Sequence, residues 1–293
     1  MKRRGFQAFA GAICSLLLGS AVVNAHEDPL GEIHPEVSEK DGNFAIKFRA
    51  SIPNQTPEDW LNPKYFGMIF SPQGKLLAPR HAIPTSPPDK EHSDPESPSK
   101  ESLRVGELTG TFTKDPSGKP GYAIESPDGS TRRVKLLWPD GVKLVHLESS
   151  IPTKEGIAVI GKEDLEILKV YWFPLEEGVK PTILTIGVTE CIYDFPVASN
   201  PVFAGGRLWV AYMRPEMAGA GDDKKKVTKL RLWSWKPGEK DARDEELDSP
   251  GDWNTSLSLC AIGDRLCLAY HCVNYSKWKS EESRIVTVFR EAK

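Results

Sequence analysis

Ser199–Glu239, SNPVFAGGRLWVAYMRPEMAGAGDDKKKVTKLRLWSWKPGE, is the stretch whose reading decides the fold. Apolar and β-branched residues crowd Val202–Ala204, Arg207–Met213 and Lys229–Lys236, and Gly205-Gly206 separates the first two runs. A two-residue glycine link between such runs predicts a tight hairpin, because glycine takes the positive φ the turn requires. Part of the stretch returns 58 residues later: GRLWVAY at Gly206–Tyr212 and DRLCLAY at Asp264–Tyr270 share Arg, Leu, Ala and Tyr at equal offsets. The following strands correspond as well, RLWSW at Arg231–Trp235 with RIVTV at Arg284–Val288. The stretch is therefore one copy of a repeating unit.

Outward from this unit, short runs rich in Val, Ile, Leu, Trp, Tyr and Phe recur from Val105 to Arg290, with Gly, Pro, Asp and Asn between them. No long amphipathic helical pattern interrupts them. An earlier unit is read at Gly156–Gly161, Leu165–Phe173, Ile183–Val188 and Glu190–Tyr193. Unit spacings of about 45 to 58 residues suit propeller blades. The expected fold is all-β: a single β-propeller of about five or six blades, closed when an N-terminal strand, Asn43–Ala50, completes the last unit. A β-sandwich is the alternative, but a sandwich needs no such repeat.

Two resemblances bear on this. FSPQGKLLA at Phe70–Ala78 resembles the hairpin of WD40-like and TolB-like propeller blades, with ESPDGSTRRV at Glu125–Val134 as a second hairpin of similar chemistry. Ala198–Tyr212, ASNPVFAGGRLWVAY, resembles the inner blade hairpin of sialidase-like propellers. The chain departs from that family in lacking Asp-box turns, and its arginine triad and Tyr/Glu pair have no counterparts in the sequence. The resemblance implies architecture rather than activity.

The N-terminus reads as a signal peptide over residues 1–25: a basic Met1–Arg4, an apolar core around Leu16–Leu18, and Val23-Asn24-Ala25 as a small-x-small cleavage site. Secretion or periplasmic export is expected, and no later apolar run is long enough to span a bilayer. Residues 26–42 read as an extended arm and 43–293 as the propeller domain, with a Pro-rich mobile loop at 79–102. Cleavage removes Lys2, Arg3 and Arg4, and takes the net charge from −3 to −6. That mild acidity argues against a nucleic-acid partner. Four cysteines remain, Cys191, Cys260, Cys267 and Cys272. A turn at Gly263-Asp264 sets Cys260 opposite Cys267, making them disulfide candidates in an oxidising compartment. Their spacing fits no zinc site, and no metal or cofactor is expected.

The open ends of the repeated hairpins gather Asp194, Asn200, Met213 and Arg214 from one unit and Trp253, Asn254 and His271 from the next. Asn and Arg can hydrogen-bond a polar ligand, and Trp253 can stack on a sugar. The competing expectation is that Asn254 and its kind hold turns and the aromatics fill space between sheets. An N-terminal His26 raises a copper site, but none of the other histidines lies in a motif. Glu190 with Asp194 is the one acid pair near a predicted sheet that could serve glycoside hydrolysis. No nucleophile elbow, phosphate loop or calcium loop occurs, and no catalytic residue is assigned. The sequence thus points to a non-catalytic binding module for a glycan or protein partner. The alternatives are a glycan-acting hydrolase on a sialidase-like propeller and a structural assembly module. Exposed tryptophans on one face are the feature that the binding reading requires.

Overall fold

The computed structural model describes residues 32–50, 64–84, 103–105, 108–114, 120–139, 142, 146–162, 167–176, 178–189, 198–219, 224–251, 253–273 and 284–293. Residues 1–25, read from the sequence as a signal peptide, and His26, Glu190, Cys191 and Asp194 lie outside them. The described chain is all-β, and its strands form five antiparallel sheets, each a meander in chain order. The first holds β1 (Glu32–Lys40), β2 (Asn43–Ala50), β3 (Tyr65–Phe70) and β4 (Leu76–Ile83). The second holds β5 (Leu103–Val105), β6 (Leu108–Lys114), β7 (Pro120–Glu125) and β8 (Thr131–Lys135). The third holds β9 (His146–Pro152), β10 (Gly156–Lys162), β11 (Ile167–Pro174) and β12 (Thr182–Val188). The fourth holds β13 (Val202–Ala204), β14 (Arg207–Ala218), β15 (Lys225–Trp235) and β16 (Arg243–Glu246). The fifth has three strands, β17 (Trp253–Ile262), β18 (Arg265–Val273) and β19 (Arg284–Glu291).

Strand periodicity explains how the sheets stack. Successive side chains on a strand point to opposite faces. On β10, Ile157 and Val159 join Tyr122 and Ile124 of the second sheet. Ala158 and Ile160 on the same strand join Leu208, Val210 and Trp233 of the fourth. On β14, Leu208, Val210 and Tyr212 face the third sheet, whereas Trp209, Ala211 and Met213 face Leu259, Leu268 and Tyr270 of the fifth. On β18, Leu266, Leu268 and Tyr270 face the fourth sheet, and Cys267 and Ala269 face Phe44, Ile46 and Phe48 of the first. These strands are buried on both faces, which is why they read as unbroken apolar runs. Outer strands such as β8 and β16 are exposed and charged, as unpaired sheet edges commonly are. The third, fourth and fifth sheets each pack on a neighbour through both faces, which the sheets of a two-sheet sandwich do not.

The turns follow the local sequence. Asp41-Gly42 and Gly205-Gly206 have positive φ at both positions, the geometry that lets a two-residue hairpin match strand twist. The two Ser-Pro-x-Gly turns are alike: the Gly74 N–H donates to Ser71 O and the Gly129 N–H to Ser126 O, both at 2.9 Å.

Three expectations are corrected. The third sheet begins one strand earlier than the repeat suggested, at β9. The short run at Leu144–Leu147 reads as a strand that overlaps its start, but the polar remainder of HLESSIP carries no pattern that joins it to the repeat. Asn43–Ala50 does not complete the last sheet; it is the second strand of its own sheet, between β1 and β3. The seam between first and last sheets is made instead by face packing of β1 on β17 and β18. Finally, residues 79–83 belong to β4 rather than to a loop. β4 is a sheet edge, where a proline such as Pro79 costs no ladder bond.

Candidate functional site

Among the described residues, three non-glycine residues have positive φ: Asp41, His34 (53°) and Ser256 (52°). Asp41 belongs to the β1–β2 turn. The other two lie within strands, at register slips between Ile33 and Glu36 on β1 and between Thr255 and Ser258 on β17. A left-handed residue inside a strand is strained and persists only where its surroundings hold it. Bulges of this kind re-aim side chains. Here the two bulged strands pack on each other, and the Val37 N–H of β1 donates to Ser258 Oγ of β17 at 2.9 Å.

The bulges bring four polar side chains together. Ser256 Oγ lies 3.4 Å from His34 Nδ1. Thr255 Oγ1 lies 3.1 Å from Nδ1 of His271, its register partner on β18. His34 is exposed, His271 half-buried, and Thr255 and Ser256 buried. Burial, reinforced by the neighbouring His34, pushes the His271 imidazole down to about 4. His271 is therefore neutral at ordinary pH, with one donor and one acceptor nitrogen. Neutral imidazoles and hydroxyls at a strand end can hydrogen-bond a polyhydroxylated ligand, and an exposed imidazole can transfer a proton.

Of the residues singled out from the sequence, His271 stands in this cluster. Asn200 is exposed just before β13, and its carbonyl accepts from Ser199 Oγ at 3.0 Å. Trp253 is half-buried at the start of β17, opposite Val273. Arg214 is bound by Glu216, its Nε donating to Oε1 at 2.9 Å. Asn254 has no exposed surface. Its Nδ2 donates to Thr228 O at 3.0 Å, its backbone N–H to Thr228 Oγ1 at 2.7 Å, and its Oδ1 accepts from Ser249 Oγ at 2.5 Å. Asn254 ties the fifth sheet to the fourth. Asp194 lies outside the described residues. His34, Thr255 and Ser256 carried no motif. Nothing in EIHPE or NTSLS marks the slips, because neither bulge uses glycine.

The repeated residues are scaffold. Arg207 pairs with Glu239 at 2.9 Å and Arg265 with Glu291 at 3.0 Å. The Tyr212 hydroxyl donates to Asp244 Oδ2 at 3.0 Å, and Tyr270 donates to Ser249 Oγ at 3.5 Å. Burial, then the adjacent Asp244, pushes the Tyr212 hydroxyl up to about 12. Arg231 holds both oxygens of Asp244 at 3.0 and 2.9 Å. A hydrogen bond from Lys229 holds Glu246 below the usual carboxyl range, which disfavours it as a proton donor. Cys260 and Cys267 are register partners as expected, but both are free thiols. They pack as small apolar groups against Phe44 and Ile46, and burial pushes the Cys260 thiol up to about 11. Among the described residues no group of three or more His, Cys, Asp or Glu could hold a metal ion, and no helix is long and apolar enough to cross a membrane.

Among the described residues the tryptophans do not form an exposed face: Trp209, Trp233 and Trp235 are buried between sheets, and Trp253 is half-buried. No protein-family model matches the sequence, and no curated protein matches it. The fold aligns with solved structures at low identity. An α-L-arabinofuranosidase from Podospora anserina is 10% identical over 92% of this chain and 94% of its own, with a TM-score of 0.37. A glycosyl hydrolase from Bacteroides ovatus is 10% identical over 91% and 87%, at 0.41. A β-fructofuranosidase from Bombyx mori is 12% identical over 96% and 67%, at 0.40. The expectation of a non-catalytic binding module is corrected: the exposed aromatic face it requires is absent among the described residues. With TM-scores below 0.5, none of these structures lends a residue role to this chain.

Proposed function

We propose that the chain is an exported glycan-acting hydrolase whose five sheets are the blades of one propeller, closed at the seam of β1 with β17 and β18. The observation that carries the site is the pair of facing bulges. Two strained strands set an exposed imidazole, a neutral half-buried imidazole and two hydroxyls at one end of the inner strands. Hydrolysis of a glycosidic bond needs one group to protonate the leaving oxygen and another to take a proton from water. On β1 the exposed titratable groups at the bulge are His34 and Glu36, which we assign to these proton transfers. His271, Thr255 and Ser256 hold the imidazole and the substrate hydroxyls in place.

The test is release of reducing sugar by the mature chain from a panel of aryl glycosides and plant, fungal and bacterial polysaccharides. Activity on at least one member is expected, falling at least about 100-fold in His34→Ala, the lower end of the range for a lost general acid–base. No release from any member, together with no thermal stabilisation by any of them, refutes the reading.

A further inference from the structure

The first and fifth sheets meet without a hydrogen-bonded ladder between them: β1 pairs only with β2, and β17 only with β18. Their contact rests on a cluster of Val37, Phe44, Ile46 and Phe48 against Cys267 and Ala269. At one end of that cluster stand His34 on β1 and His271 on β18, with Thr255 and Ser256 of β17 beside them. We propose that this seam is a pH-sensitive latch, closed while His271 is neutral and loosened when acid charges it opposite His34. An imidazolium in a half-buried site loses hydration and meets a second imidazole that acid also charges. At the bulges and beside His271 in register, the charged groups on the packed elements are His34 and Glu36 on β1 and Arg284 on β19, and β17 offers the hydroxyls of Thr255 and Ser256. The depressed pKa of His271, with His34 among its causes, agrees with this geometry. When a seam held by face packing opens, β1, the edge strand of its sheet, loses its cover and can fray from β2.

The proposal rests on the seam and not on the glycan reading, since its readouts need no substrate. Hydrogen exchange of the mature chain is followed by mass spectrometry from pH 7.5 to 4, corrected for intrinsic rates. Protection of β1 is expected to fall at least tenfold between pH 6.5 and 4, while β10 keeps its own. In His271→Gln the β1 protection is expected to change less than threefold. Protection of β1 that is independent of pH, or an equal loss in His271→Gln, overturns the latch. Should that variant not fold, ring titration of His271 in the wild-type chain by NMR decides. A midpoint below 5 that rises in His34→Gln supports the latch, and a midpoint near 6.5 overturns it.

Discussion

Asn254→Ala is the sharpest test of whether the fourth and fifth sheets are joined by a buried polar tie. The substitution removes a donor to Thr228 O (3.0 Å) and an acceptor for Ser249 Oγ (2.5 Å), at a residue with no exposed surface. Ser249 has other partners within reach, the Tyr270 hydroxyl at 3.5 Å and Cys272 Sγ at 3.9 Å, so its loss is partly offset. The Thr228 carbonyl loses this side-chain donor. A buried polar group left unpaired costs roughly 1–3 kcal/mol and a typical net hydrogen bond about 1 kcal/mol, so the sum is about 3 kcal/mol. That is a factor of about 100 or more in the folding equilibrium. Urea unfolding read by tryptophan fluorescence should show the midpoint falling by about 1 M, taking an m-value of about 3 kcal/mol/M. A double-mutant cycle with Thr228→Val, which removes the Oγ1 that accepts the Asn254 N–H, should give a coupling above about 0.5 kcal/mol, as residues in one network do. A cost below about 1 kcal/mol, or lost glycan activity at unchanged stability, refutes the structural role of Asn254.

Other perturbations give further tests. Gly205→Ala combines a φ of 57° with a Cβ only 1.8 Å from the Ala292 carbonyl oxygen. It should cost at least about 3 kcal/mol, in the range of severe strain, and deleting residues 292–293 alongside it should recover more than half of that loss. For His271 the native imidazole binds protons more weakly than the ordinary value of 6.5, so the unfolded chain takes up more protons as acid is added. Stability should therefore be highest above pH 6.5 and fall by about 3 kcal/mol toward pH 4, a slope that His271→Gln should flatten in denaturant titrations. The Cys260 thiol, at about 11 rather than 9, should be alkylated at pH 8 about a hundredfold more slowly in the native chain than in urea, following the loss of thiolate. Mass spectrometry after native and denatured labelling measures this.

The all-β class, the hairpins and the repeat were legible in the sequence because they rest on local rules. Gly205-Gly206 and Gly263-Asp264 mark turns whatever packs on them, and period-2 burial writes apolar runs into β10, β14 and β18. The register of Cys260 with Cys267 followed from the turn between them. The first strand of the third sheet showed only its start, at Leu144–Leu147, and not its place in the repeat, since HLESSIP gains that place through β10 and not through its own pattern. Nor did the buried role of Asn254, whose partners Thr228 and Ser249 stand on other elements and whose residue type suits a ligand site as well as a sheet tie.

By itself the sequence determined the strands, their turns and the repeated Arg, Leu, Ala and Tyr that serve as scaffold. Tertiary structure alone decided which sheets face one another and which side chains meet at the ends. His34 and Ser256 are 222 positions apart, and each sits at a bulge that no local pattern announces. Left-handed backbone at a non-glycine residue is locally unfavourable, so only the packing of β1 on β17 and β18 can hold the two in place. For that reason the site could be found where the sheets meet, and not in any motif along the chain.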